Sequence, residues 1–194
     1  MKKTISRRSM KRIMQRAFLM TCLMIFSSSV LASDQRQALW NRLEHATYIQ
    51  TGSGKTVIYD FFDPNCLYCA KAFQLERPIA DKGQLTVRYV PVGFLTDSSF
   101  GRAAAILQAR NPREAMENNF MDLLRTGHAV ISSATATEAT HSALRRNERI
   151  FIDTGATTLP ELVYRLPDGQ VKSFRGELST EQLGLLISGH GLDS

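Results

Sequence analysis

Thr56-Val-Ile-Tyr-Asp-Phe-Phe-Asp-Pro-Asn-Cys66-Leu-Tyr-Cys69-Ala-Lys-Ala-Phe73 is the stretch on which the reading of this chain turns. An apolar run ends at Asp63-Pro64 and restarts with helical spacing, so it reads as a buried strand that delivers a C-x-x-C pair to a helix N-terminus. Such a terminus presents unpaired N–H groups and the positive end of the helix dipole, and both favour a thiolate over a thiol. Cys66 is then the exposed nucleophile, and Cys69, one turn in, is the resolving thiol. A pair at this spacing closes on itself without spanning much of the chain, so it can alternate between dithiol and disulfide while the fold stays in place. The chemistry this placement favours is thiol–disulfide exchange.

The chain opens with Lys2, Lys3, Arg7, Arg8, Lys11, Arg12 and Arg16, continues through an apolar run from Ala17 to Phe26, and reaches Ser27-Ser-Ser-Val-Leu-Ala32. A basic start, a short apolar stretch and a small-residue site make residues 1–32 a secretory signal peptide and not a spanning helix, with cleavage expected after Ala32. Ser6-Arg7-Arg8 hints at twin-arginine export, although Lys11 and Arg12 interrupt the apolar residues that should follow. Seven of the 24 Lys and Arg lie in this segment and none of the 18 Asp and Glu, so the remainder carries 17 basic against 18 acidic residues, net −1. The high sequence pI therefore belongs to the leader. Nothing is left to argue for nucleic acid or an anionic membrane. The remaining 162 residues suffice for one domain with its own core.

Cys22 leaves with the leader, so only Cys66 and Cys69 remain and no structural disulfide is available. A small exported protein that keeps a single C-x-x-C pair uses it for chemistry or for a metal. For zinc the pair is half a site, and no second C-x-x-C or H-x-x-x-H exists, while His45, His128, His141 and His190 are scattered. No metal is expected, and no cofactor beyond a redox-active Cys66–Cys69 disulfide.

Leu39, Trp40, Leu43 and Ala46 recur at helical spacing, so residues 33–54 read as a linker helix followed by a turn at Thr51-Gly-Ser-Gly54. The first strand then runs from Lys55 to Phe62, a helix from Cys66 to Ala80, and a second strand from Gln84 to Val92. Strand, helix, strand in that order makes a βαβ crossover with a parallel pair. Residues 97–153 carry helical patterns at 97–109, 111–126 and 137–153. Leu162 to Leu166 and Val171 to Phe174 flank Pro167-Asp-Gly169, a hairpin signal. Ser179-Thr-Glu-Gln182 offers a cap to a closing helix through Ile187. This is an α/β, thioredoxin-like order, with a catalytic domain over 55–194 that takes a helical insertion between the C-x-x-C βαβ half and the terminal β-hairpin and helix.

Phe62-Asp-Pro-Asn-Cys-Leu-Tyr-Cys69, Arg102-Ala-Ala-Ala-Ile-Leu107, Asn147-Glu-Arg149 and Gly155-Ala-Thr-Thr-Leu-Pro160 together resemble the periplasmic thiol:disulfide interchange proteins of the DsbG/DsbC type, from about Trp40 to the final helix. The resemblance implies a cis-proline at Pro160 facing the cysteine pair, with Leu159 before it. Leu159, Tyr68 and Leu67 are the residues expected to meet substrate. The resemblance further implies a periplasmic oxidoreductase or isomerase that acts on cysteine-containing exported proteins and is reset by a membrane redox partner. Three features depart from the pattern. Only residues 33–54 precede the catalytic strand where the family carries a dimerisation domain, so a monomer is expected. Leu159 stands where the family usually has Thr. Asp60, six residues before Cys66, stands where thioredoxin has its buried acid and the DsbG/DsbC type has an apolar residue.

Asp60 reads either as a solvated carboxylate at a strand end or as a desolvated carboxyl with a raised pKa that shuttles the proton of Cys69. Tyr68 is expected to pack or hydrogen-bond near the disulfide. It brings no positive charge, so the helix end is expected to acidify Cys66 more than its neighbours do. Two other function classes stay open beside exchange: a copper-handling thioredoxin-like carrier, and a peptide-binding chaperone with a secondary redox pair.

Overall fold

The computed structural model describes residues 34–192, so the expected signal peptide lies outside the described residues. A helix over residues 34–43 (α1) leads into β1 (Ile49–Gly52), β2 (Thr56–Phe62), α2 (Leu67–Asp81), β3 (Leu85–Pro91), α3 (Ser99–Gln108), α4 (Pro112–Thr126), α5 (Glu138–Asp153), β4 (Glu161–Arg165), β5 (Val171–Arg175) and α6 (Thr180–Ile187). The sheet order is β1-β3-β2-β4-β5. β2 and β3 are parallel and the other pairs antiparallel.

Alternation along the strands splits the apolar residues into two cores, one on each face of the sheet. Ile58 and Phe62 of β2, Tyr89 of β3 and Leu162 of β4 meet Phe73 of α2, Phe120 of α4 and Leu183 of α6. Tyr59 and Phe61 of β2 and Val163 of β4 face the other way, onto Trp40 and Leu43 of α1 and Phe151 of α5. Because both faces of β2 are covered, its sequence is an almost unbroken apolar run, as a central strand requires. Asp60 is the polar residue that breaks it.

The local signals for the helix ends have physical counterparts. Asn111, Thr137 and Ser179 each accept the N–H of the residue three positions on, from Glu114, Thr140 and Gln182. Gln182 returns a bond to the Ser179 N–H, completing a capping box. The three insertion helices α3, α4 and α5 lie between β3 and β4 in sequence.

One expectation needs correcting. The segment read as helix and turn before Lys55 contains β1, an edge strand that pairs Ile49 with Tyr89 and Thr51 with Val87. Four residues are too few to show a period, and their partner strand lies far along the chain, so local pattern could not reveal them. Gly52 closes β1 at φ 73°, where an added Cβ would collide with the Leu85 carbonyl oxygen. α1 is likewise packed into the domain: Leu43 is fully buried, and the Trp40 ring meets the Tyr59 ring edge-on at 5.3 Å.

Candidate redox site at the β2–α2 junction

β2 ends at Phe62, and the next residue organises the loop. The buried Asp63 carboxylate accepts the Asn65 N–H (2.9 Å) and the Ser99 hydroxyl (2.8 Å) on Oδ1, and the N–H groups of Phe94 (3.0 Å) and Leu95 (3.1 Å) on Oδ2. Asn65 continues the network, donating to the Thr96, Ser98 and Ser99 hydroxyls and accepting from Arg102. From α4, Asn119 donates to the Pro64 carbonyl at 2.9 Å. The loop that presents the cysteines is therefore tied to the β3–α3 connection and to α4. Asp63 was not singled out from sequence, although Asp-Pro-Asn before a helix is a turn signal of the kind that makes such side-chain bonds.

Cys66, expected from sequence as the first helical residue, occupies the N-cap of α2 with extended backbone, one residue before the helix begins, and its Sγ accepts the Cys69 N–H at 3.1 Å. This is the position where a Ser or Asp oxygen ordinarily satisfies an orphan helix donor, and here sulfur does so. Cys66 and Cys69 are joined by a disulfide with Cα atoms 5.2 Å apart. No acidic residue sits in the first turn of α2, so the partial positive charge of the helix end is uncompensated there. Cys66 is 5% exposed and Cys69 fully buried. An incoming sulfur thus reaches Cys66 first.

The residues between the cysteines face outward. Leu67 is exposed, and Tyr68 is 61% exposed with the Lys71 ammonium 5.0 Å from its ring centre. Tyr68 was expected to pack or hydrogen-bond near the disulfide; two residues into the turn from Cys66, it lies on the solvent side of α2 instead. Phe94 and Leu95, which sequence reasoning did not pick out, are exposed as well, and the Phe94 ring meets Phe151 at 5.1 Å. Leu159–Pro160 is a cis bond. Pro160 is buried, and its carbonyl accepts the Gly176 N–H at 2.9 Å. Leu159, half-buried, packs on both cores, one of which contains Cys66 and Cys69.

Asp60 is fully buried on the α2 side of the sheet, which removes the reading as a solvated strand end. Among the described residues neither of its oxygens has a hydrogen-bond partner. Burial first, then the neighbouring Glu76 and Glu161, holds its pKa well above the usual carboxylate range. Glu76 of α2 and Glu161 of β4 are also fully buried. Burial pushes Glu76 up to about 7, with the Tyr89 hydroxyl partly opposing it. Burial pushes Glu161 up to about 7 as well, against the pull of Arg175 at 3.6 Å. Neither glutamate was singled out from sequence. Glu76 had a signal, seven residues after Cys69 on the apolar face of the helix, whereas Glu161 could be placed only once β4 was known to lie inside the sheet, between β2 and β5.

The family model described as a thioredoxin-like domain matches residues 43–188. The chain is 25% identical over 151 residues to the thiol:disulfide interchange protein DsbG of Pseudomonas aeruginosa, and 26% identical over 153 residues to that of Escherichia coli K12. Each match covers 77% of this chain and spans 58% and 60% of those relatives' lengths. Among solved structures, the catalytic domain of Proteus mirabilis ScsC superposes with TM-score 0.59 at 21% identity, covering 79% of this chain and 96% of that one. The thiol-disulfide exchange protein alpha-DsbA2 of Wolbachia pipientis superposes with TM-score 0.62 at 12% identity, covering 84% and 97%. These likenesses agree with a five-stranded sheet whose central strand hands a C-x-x-C pair to a helix N-terminus, and the chain belongs to the thioredoxin-like domain family.

Proposed function

We propose that the protein is an exported, periplasmic thiol:disulfide oxidoreductase that exchanges disulfides with cysteines of other exported proteins through Cys66 and Cys69. The observation that carries this reading is Cys66 at the N-cap of α2, its sulfur accepting the Cys69 N–H and already bonded to Cys69. The two curated relatives, both described as thiol:disulfide interchange proteins, support it, as does the leader pattern in residues 1–32.

In the reducing direction, the Cys66 thiolate attacks a substrate disulfide, forming a Cys66–substrate bond and releasing one substrate thiolate. Cys69 then attacks the Cys66 sulfur, the intramolecular disulfide closes, and the second substrate thiolate leaves. The oxidising direction reverses these steps, starting from a substrate thiolate. Asp60, buried on the α2 side of the sheet, takes the Cys69 proton in the first case and returns it in the second. Leu67, Tyr68 and Leu159, with Pro160, form the surface a substrate chain meets, and a membrane redox partner resets the pair. Thermodynamics and that partner decide between oxidase, reductase and isomerase roles.

The test is to mix the purified protein with an oxidised and with a reduced cysteine protein and to follow thiol exchange. Exchange through Cys66 that is lost in Cys66→Ser supports the reading. Absence of exchange in both directions at neutral pH overturns it. A chaperone reading draws on the exposed apolar side chains Leu67, Tyr68, Phe94 and Leu95, and aggregation suppression that survives replacement of both cysteines would favour it.

A further inference from the structure

Four polar side chains from four different elements converge on the α2 side of the sheet. Asp60 of β2 is in register with Tyr89 of β3, which is in register with Ile49 of β1, so Thr51, two residues on from Ile49, shares their face. Glu76 comes down from α2, seven residues and two turns below Cys69 on the same helix face. All four are buried, and both Asp60 oxygens, both Glu76 oxygens, the Tyr89 hydroxyl and the Thr51 hydroxyl are without a well-formed hydrogen bond. The Tyr89 hydroxyl nevertheless lies close enough to Glu76 and to Thr51 to feel both.

This arrangement is poor structural design. A buried carboxyl with no partner costs stability that an apolar side chain of similar size would not, and unsatisfied polar clusters are normally avoided. Two carboxyls in one dry layer also cannot both ionise, so at least one proton stays between them at neutral pH. The charged and titratable groups facing the pair are Tyr89 from β3 and, through the sheet, Glu161 from β4. β1 contributes only Thr51. On α4, Arg113 and Glu117 are bonded to each other, with Arg113 also on Asp81, at the far end of α2. Among the described residues no cation neutralises the pair, and the acids do not form a group that could hold a metal ion.

We propose that Glu76 is the second half of a buried proton store for the redox pair, acting on Cys69 through Asp60, with the Tyr89 hydroxyl as the bridge. The proposal rests on the exchange chemistry of Cys66 and Cys69 given above. When a substrate thiolate attacks Cys66, the Cys66–Cys69 bond breaks and Cys69 leaves with the electron pair. Its thiolate takes the proton of Asp60. Glu76 passes its own proton through Tyr89 to Asp60, so the negative charge comes to rest two helical turns away from Cys69 and does not oppose the next step. In the closing direction the Cys69 proton travels the same way back as Cys69 attacks Cys66 and the substrate thiolate departs. Glu76 is a positioning residue for charge, since it touches neither sulfur nor substrate.

The test uses Glu76→Gln, which keeps the shape and removes the titration, in the purified protein. Closure of the Cys66 mixed disulfide, followed by stopped flow from pH 5 to 9, should be slower by about tenfold at pH 7 and lose its inflection near 7, while the first attack by Cys66 is unchanged. An unchanged pH profile overturns the proposal, as does equal slowing of both steps. A second readout needs no variant and no protein substrate. Infrared difference spectra between the oxidised protein and the protein reduced with dithiothreitol should show a carboxylic acid band that shifts on 13C-labelling of glutamate and persists in Glu161→Gln. Absence of a glutamate band overturns the role of Glu76 even where Cys66 exchanges normally. Failure to exchange with protein substrates, with the band present, would instead strike the functional reading and leave the proton store standing.

Discussion

The Ser99 hydroxyl donates to Asp63 Oδ1 at 2.8 Å, joining the first residue of α3 to the loop that presents Cys66. Asp63 accepts three backbone N–H groups besides, so one carboxylate fixes two connections at the same end of the sheet. Removing it would leave four donors, one of them fully buried and three part-buried, without their acceptor.

Asp63→Ala should therefore cost about 3 kcal/mol of stability, from the usual range for a lost buried hydrogen-bond network. Ser99→Ala, which removes one donor and leaves the others, should cost about 1 kcal/mol. Urea unfolding of the two variants checks the order. A loss in Asp63→Ala no greater than in Ser99→Ala would show that water replaces the carboxylate.

Cys66 should be the attacking thiol, because its sulfur sits on the helix N-terminus and Cys69 is enclosed. Cys69→Ser should accumulate mixed disulfides and Cys66→Ser should not. In the reduced wild type, iodoacetamide at pH 6 should modify Cys66 at least about tenfold faster than Cys69. Peptide mapping that finds Cys69 labelled first reverses the assignment.

Asp60→Asn should slow closure of the mixed disulfide while the first attack keeps its rate, since only Cys69 needs a proton acceptor. The expected loss is about 100-fold, the low end for a removed general base. Equal slowing of both steps would mean that the substitution disturbs β2.

Stability should fall as pH rises from 5 to 8. Glu76 is protonated up to about pH 7 in the folded state, against 4.5 for a free side chain. Its contribution is therefore complete below the unfolded value and is lost as pH climbs through the folded one. That difference amounts to about 3 kcal/mol, and Asp60 acts in the same direction. Urea midpoints should drop between pH 5 and pH 8, and Glu76→Gln should flatten the profile. A midpoint that rises over this range contradicts the burial of a protonated acid.

Leu159→Thr should lower the Cys66 pKa, because a hydroxyl beside the core that contains both cysteines can donate to a thiolate and a leucine cannot. A stabilised thiolate favours the reduced form and makes the protein a stronger oxidant. Thiolate absorbance against pH measures the shift. An unchanged or raised Cys66 pKa shows that residue 159 does not reach the redox pair.

The strand from Thr56 to Phe62, the cysteines at the head of α2, the parallel β2–β3 pair and the final hairpin and helix were legible because each leaves a local mark: an apolar run, a C-x-x-C after Asp-Pro, a Pro-Asp-Gly turn, a Ser-x-x-Gln cap. The sequence by itself also determined that Cys66, not Cys69, stands at the helix end, since the order of residues along a helix fixes which lies outside its first turn. Tertiary structure decided the rest. β1 exists only because β3 offers an open edge, and four residues carry no period of their own. Tyr68 points to solvent because the inward face of α2 is already filled by Cys69, Ala72, Phe73 and Glu76. Asp60, Glu76 and Glu161 are ordinary acids in the sequence. Their raised pKa values come first from the loss of water, to which the neighbouring Glu76 and Glu161 add at Asp60, and that burial arises only when strands and helices close over the two faces of the sheet.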